Sequence, residues 1–125
     1  MIQLDTSFLI RAFVPDSKED LKLREWLRRG ERVGVSAIAW AELSCGPIER
    51  GLLELALGIV GEPEPFGRPY AALAAGLFNR AGRRRGSLLD CMIAASAIGA
   101  GGSLATANPD DFSRFVSERL SVLTA

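Results

Sequence analysis

Residues 1–15 read MIQLDTSFLIRAFVP. A short apolar run, MIQL, gives way to an aspartate, two hydroxyl residues and an apolar stretch that Pro15 terminates. This is the pattern of a short strand over residues 1–4 followed at once by a helix over TSFLIRAF, with Asp5 at the junction. An aspartate there is a standard helix N-cap, positioned for the amides around Ser7 and Phe8. A carboxylate has two oxygens, so a cap can also be a ligand.

The same alternation runs outward along the chain. Ser17 caps a second helix, SKEDLKLREWLRRG, with Glu19 and Asp20 early, Arg28 and Arg29 late and Gly30 at its end. Leu23, Trp26 and Leu27 form its apolar stripe. Residues 32–35 (RVGV) read as a second strand, and Ser36 caps the helix AIAWAELSCG. Helical character resumes over 48–60. The segment 62–66 (EPEPF) reads as a weak third strand, with two prolines that suit only an edge. Pro69 opens a helix with apolar positions 70, 73, 77 and 81, and Ser87 opens another, SLLDCMIAASAIGAG. The strand SLATA, a one-turn helix from NPDDFSRF and a last strand near SVLTA complete the chain. Short strands alternating with helices predict one α/β domain over residues 1–125, a three-layer α/β/α sandwich on a short, mainly parallel sheet.

Composition narrows the chemistry. The chain has 125 residues, 15 basic and 15 acidic, for a net charge of zero, so overall charge gives no support to a nucleic-acid partner. Apart from Lys18 and Lys22 every basic residue is arginine, the side chain suited to planar contacts with phosphate. The densest patch is Arg80, Arg83, Arg84 and Arg85. There is no histidine, which excludes Ser-His-Asp and Cys-His catalysis and histidine-ligated zinc. Both lysines lie in one highly charged segment, poorly placed for nucleophilic chemistry. Cys45 and Cys91 have no metal-type spacing and read as reduced core residues of a cytoplasmic protein. No apolar run reaches membrane-spanning length, and the first residues make a poor signal peptide. Oxygen-ligand chemistry remains: carboxylates, hydroxyls and hard metal ions.

Four acids stand out. Asp90 lies in a helix that is apolar almost all round, with no basic residue one turn away. A buried carboxylate needs compensation, from the helix dipole, a distant arginine or a metal. Glu42, in AIAWAELSC, likewise lacks a basic neighbour, although a surface glutamate on an amphipathic helix would look the same. Asp110 and Asp111 follow Asn108-Pro109, a complete helix-start signature that leaves room for a second role. In parallel α/β folds ligands bind beyond the carboxyl ends of the strands. Asp5 follows the first strand and Asp110 and Asp111 follow SLATA, so the topology delivers them to one edge. Carboxylates gathered there would repel one another, and Mg²⁺ or Mn²⁺ is the natural remedy for an oxygen-only site. The run Arg83–Arg85 reads either as a solvated loop or as a phosphate clamp.

The ordered set LDTSFL, WAEL, LLDCMIAASA and LATANPDDF resembles the PIN-domain nucleases, more narrowly the VapC-type toxins of toxin–antitoxin pairs. The match spans nearly the whole chain. The resemblance implies a metal-dependent endoribonuclease with Asp5, Glu42, Asp90 and Asp111 as catalytic and metal-binding residues around Mg²⁺ or Mn²⁺. It makes Thr6, Ser7, Thr106 and Asn108 supporting polar positions, and leaves open which of Asp110 and Asp111 faces the site. It further implies an RNA substrate cut to a 5′-phosphate and a 3′-hydroxyl, a cognate VapB-like antitoxin and a homodimer. Arg83, Arg84 and Arg85 would contact RNA.

Two other classes compete. A non-catalytic binding module could keep the fold without cutting, though all four acid positions are filled. An acidic-site phosphatase of the haloacid-dehalogenase type wants Asp-x-Asp after the first strand, and Asp5-Thr6-Ser7 lacks the second acid. A response-regulator receiver wants paired early acids and a late lysine; a P-loop NTPase wants GxxxxGK[ST]; neither pattern is present.

Overall fold

The computed structural model describes residues 1–81, 83–84 and 86–125. Among these the chain forms β1 (Ile2–Leu4), α1 (Thr6–Ala12), α2 (Lys18–Arg28), β2 (Val33–Gly34), α3 (Ala37–Cys45), α4 (Arg50–Val60), α5 (Arg68–Arg80), α6 (Leu88–Gly99), β3 (Ser103–Ala105), two 3₁₀ turns (Pro109–Asp111 and Ser113–Glu118) and β4 (Ser121–Leu123). The four strands make one sheet in the order β2-β1-β3-β4, and every pairing is parallel.

Local chemistry sets most boundaries. The Ser17 hydroxyl accepts from the Asp20 amide at 3.0 Å and the Ser36 hydroxyl from the Ala39 amide at 3.0 Å, so both helices start where a side-chain cap is available. Gly30, with φ of 79°, takes the left-handed conformation that ends α2. The central strands are buried on both faces, as a sheet covered by helices requires. The core gathers Leu4, Phe8, Leu43, Leu77, Cys91, Leu104 and Phe112.

Several expectations are corrected. Residues 62–66 form no strand but one bridge, Ser36 to Glu64. Pro63 and Pro65 have no amide to donate, so only Glu64 between them pairs, its N–H to Val35 O and its carbonyl from Ala37 N, each at 2.8 Å. Leu27 is 41% exposed and leaves the stripe of α2 to Leu23 and Trp26, the latter stacked on Phe8. Cys91 is buried, but Cys45 lies exposed at the end of α3. Ser87 supplies no cap to α6; its hydroxyl donates to Arg84 O at 2.7 Å. No helix among the described residues is long and apolar enough to cross a membrane.

Candidate active site

The register of the sheet builds the site. Leu4 pairs with Ala105 and Ala105 with Leu123, so the next residues, Asp5 and Thr106, emerge side by side at the carboxyl end of the sheet. Their backbones continue the ladder: Asp5 N donates to Ala105 O at 2.9 Å and Thr106 N to Leu123 O at 3.0 Å. Asp5 is 6% exposed and Thr106 fully buried. The Asp5 carboxylate caps α1, but through the Thr6 amide at 2.8 Å rather than the amides of Ser7 and Phe8. Its second oxygen accepts from the Ser7 and Thr106 hydroxyls, both at 2.8 Å. Ser7 Oγ accepts from Ala107 N at 3.1 Å and Thr106 Oγ1 from Asn108 N at 3.0 Å. Two hydroxyls thus lock Asp5 to the loop that follows β3. Asn108 joins through its backbone N–H, and its side chain makes no cap hydrogen bond to the 3₁₀ turn that follows.

Glu42 reaches the same place from α3. The Thr6 hydroxyl lies 3.1 Å from both Glu42 Oε1 and Ala39 O, tying the start of α1 to α3. Burial of the Glu42 carboxylate raises its pKa, opposed by the Thr6 hydrogen bond and reinforced by the charge of Asp5.

Asp90 sits in the first turn of α6, half-buried, next to the buried Cys91 and shortly before the buried run Ile93–Ala97. Burial pushes its pKa up to about 6, and the negative charges of Asp111, Asp5 and Glu42 add to the rise while Arg114 opposes it. Acids 5, 42, 90 and 111, spread over the whole sequence, therefore share one electrostatic field. Asp111 acts on Asp90; Asp110 is not among the charges that do. The gathering has a limit: among the described residues no three acidic or cysteine side chains stand close enough to surround one ion. Three of these acids act on the fourth, Asp90, but among the described residues they form no coordination sphere. The donor set nevertheless suits a hard cation, with carboxylate and hydroxyl oxygens and no nitrogen or sulfur ligand.

Of the arginine patch, Arg80 is paired through Nε and Nη2 with Glu118 at 2.7 and 3.0 Å. Arg83 is exposed, with Nη1 donating to Asn79 at 2.7 Å, and Arg84 is exposed. Arg85 lies outside the described residues. Arg114, absent from the sequence-based set, is, among the described residues, the guanidinium whose charge acts on Asp90. The only sequence signal for it was its place between Phe112 and Phe115, both of which are buried.

The PIN domain family model matches residues 2–117. The chain belongs to the PIN domain family. Solved structures agree on the fold. A chain of VapBC2 from Rickettsia felis, crystallised with a DNA fragment from their promoter, is 23% identical, with 100% of this chain and 99% of that one covered at a TM-score of 0.79. A chain of VapBC-1 from nontypeable Haemophilus influenzae is 23% identical, with 99% and 98% covered at 0.73. A chain of FitAcB from Neisseria gonorrhoeae is 26% identical, with 98% and 96% covered at 0.69. No curated protein sequence matches the chain. The PIN fold here is the parallel α/β architecture that the alternation of elements predicts.

Proposed function

We propose that this PIN domain is a divalent-metal-dependent endoribonuclease and the toxin of a VapBC-like pair. The observation that carries the reading is that the charges of Asp111, Asp5 and Glu42 converge on Asp90, with Asp5 at the carboxyl end of β1 and hydrogen-bonded to Thr106 after β3. Asp5 and Asp90 would hold Mg²⁺ or Mn²⁺ directly, with Glu42 and Asp111 as ligands or partners through water. Such an ion supplies positive charge against the phosphate and acidifies a water in its shell. The chain's own part is to orient the carboxylates. Ser7 and Thr106 hold one oxygen of Asp5, Thr6 steers Glu42, and α6 presents Asp90 from a partly buried first turn. With no histidine in the chain, proton transfer falls to water and these carboxylates. Arg83, Arg84 and Arg85 remain candidates for flanking phosphates.

An antitoxin partner is supported by the relatives, VapBC structures among them. A cleft of about 410 Å³ beside Glu42, lined by Ile10, Phe13, Leu43, Ile48 and Leu52, offers apolar surface next to the acids on which a partner segment could lie. A homodimer is also part of this proposal.

The test is cleavage of 5′-labelled single-stranded RNA with Mn²⁺ and with chelator. Wild-type protein should cut only with metal, and Asp90→Asn should lose at least about 100-fold in rate, the scale of removing one strong transition-state electrostatic contact. An Asp90→Asn protein that cuts normally removes Asp90 from the mechanism. Metal binding without cleavage favours the non-catalytic module.

A further inference from the structure

The two 3₁₀ turns after β3 are separated by Phe112 alone, so the first ends on Asp111. Phe112 N donates to Pro109 O and Phe115 N to Phe112 O, each at 3.0 Å. Between them, at the break in the turns, the Asp111 carbonyl accepts from a side chain, Arg114 Nη1, at 3.1 Å. The Arg114 guanidinium in turn lies 4.4 Å from the centre of the buried Phe115 ring, a cation–π distance.

Nε and Nη2 of Arg114 are closed to solvent and have no hydrogen-bond partner, and Arg114 makes no ion pair among the described residues. In this conformation the group is a fixed part of the turn rather than an arm that reaches for a ligand. Charged donors left unpaired inside a protein cost stability. An apolar side chain of similar shape would fill the same space without that cost. Stability alone therefore does not account for an arginine here. What the arginine does, and an apolar side chain could not, is bind the peptide of Asp111. Asp111 is exposed, so its backbone rather than close packing sets where its carboxylate points. The guanidinium also stands near enough for its charge to act on Asp90.

We propose that Arg114 is a positioning residue: through Nη1 and the Asp111 carbonyl it holds the backbone that aims the Asp111 carboxylate toward the metal site. This rests on the metal-dependent reading above and adds to it the part that sets the fourth acid. The effect has a sign that a bare charge would not have. A guanidinium repels a cation, so loss of the charge alone would tighten Mn²⁺ binding. Loss of the hold on Asp111 loosens it, by about 10- to 100-fold where a partner orients a metal ligand.

The probe is Mn²⁺ alone, titrated into wild type, Arg114→Met, Asp111→Asn and the double variant. The EPR signal of the free ion reports binding, and melting temperatures are taken alongside in chelator. Arg114→Met should keep or raise the melting temperature and weaken Mn²⁺ binding about 10-fold. In the Asp111→Asn background the same change should weaken binding no further, because the carboxylate it acts through is gone. Arg114→Gln is carried through the same cycle in case Arg114→Met does not fold. Tighter or unchanged Mn²⁺ binding in the Arg114 variant overturns the proposal, as does an equal loss when Asp111 is already replaced. Failure of both Arg114 variants to fold also overturns it and marks a merely structural arginine. Wild type that takes up no Mn²⁺ sinks the metal-dependent reading instead, a separate result.

Discussion

Asp90 carries the clearest conflict between folding and chemistry. Its pKa rises from the ordinary 3.8 to about 6, first through burial and then through its acidic neighbours. Between those values the folded protein holds more of the proton than the unfolded chain does. Stability from this group is therefore complete below pH 3.8 and is lost as pH rises through about 6. In chelator, wild-type stability should fall across that window, and Asp90→Asn should flatten the fall and gain about 1–2 kcal/mol at pH 7, the raw shift being reduced by solvent screening. Denaturant melts at pH 4.5 and pH 7 measure it; an equal pH dependence in both proteins would contradict this account. Thr106 makes the complementary case. Thr106→Val removes the hydroxyl that donates to Asp5 and accepts from Asn108 N, leaving both short of a partner. It should cost about 1–3 kcal/mol in denaturant melts, and a loss below about 0.5 kcal/mol would show that water takes over these bonds. At this scale the sequence was partly legible. Asp90 and Glu42 stood out by lacking basic neighbours along their helices, Asp5 and Asp111 only by their places after strands. Arg114 did not, because a lone arginine in a polar-looking turn reads as a solvated residue; only the packing of Phe112 and Phe115 turns it inward. The cap of Asp5 slipped to Thr6 because the side chain also answers to Ser7 and to Thr106, which is 101 residues away along the chain.

The elements were the most legible, because caps and breakers act locally. Ser17, Ser36, Gly30 and Pro69 mark helix ends that the structure keeps. The segment 62–66 failed as a strand for an equally local reason, two prolines that leave one residue able to pair. What local chemistry could not show is how helices seat on one another. Gly99 ends α6 directly beneath the ring of Tyr70 from α5, and a methyl group there would overlap the ring. Tyr70 is itself tied to Glu64 at 2.9 Å, so it does not move freely. Gly99→Ala should cost about 1–3 kcal/mol, although alanine favours a helix over glycine. A neutral or stabilising Gly99→Ala would mean that Tyr70 can swing away. Because α6 also carries Asp90, loosening this contact should be felt at the site.

Across the whole molecule, topology does what no single motif could. Strand order β2-β1-β3-β4 with parallel register places the ends of β1 and β3 together, and α3 and α6 bring Glu42 and Asp90 to the same border. The alternation of elements made that edge predictable. The closeness of approach was not, since the set of side-chain torsions that would close four carboxylates around one ion depends on the ion itself. Among the described residues no three of the acids stand close enough to enclose a cation. The measurement that bears most directly on whether these acids bind an ion is anomalous scattering from crystals soaked in Mn²⁺. A peak is expected among Asp5, Glu42, Asp90 and Asp111, and it should disappear in Asp90→Asn. Well-ordered carboxylates at full Mn²⁺ concentration with no peak between them would contradict it.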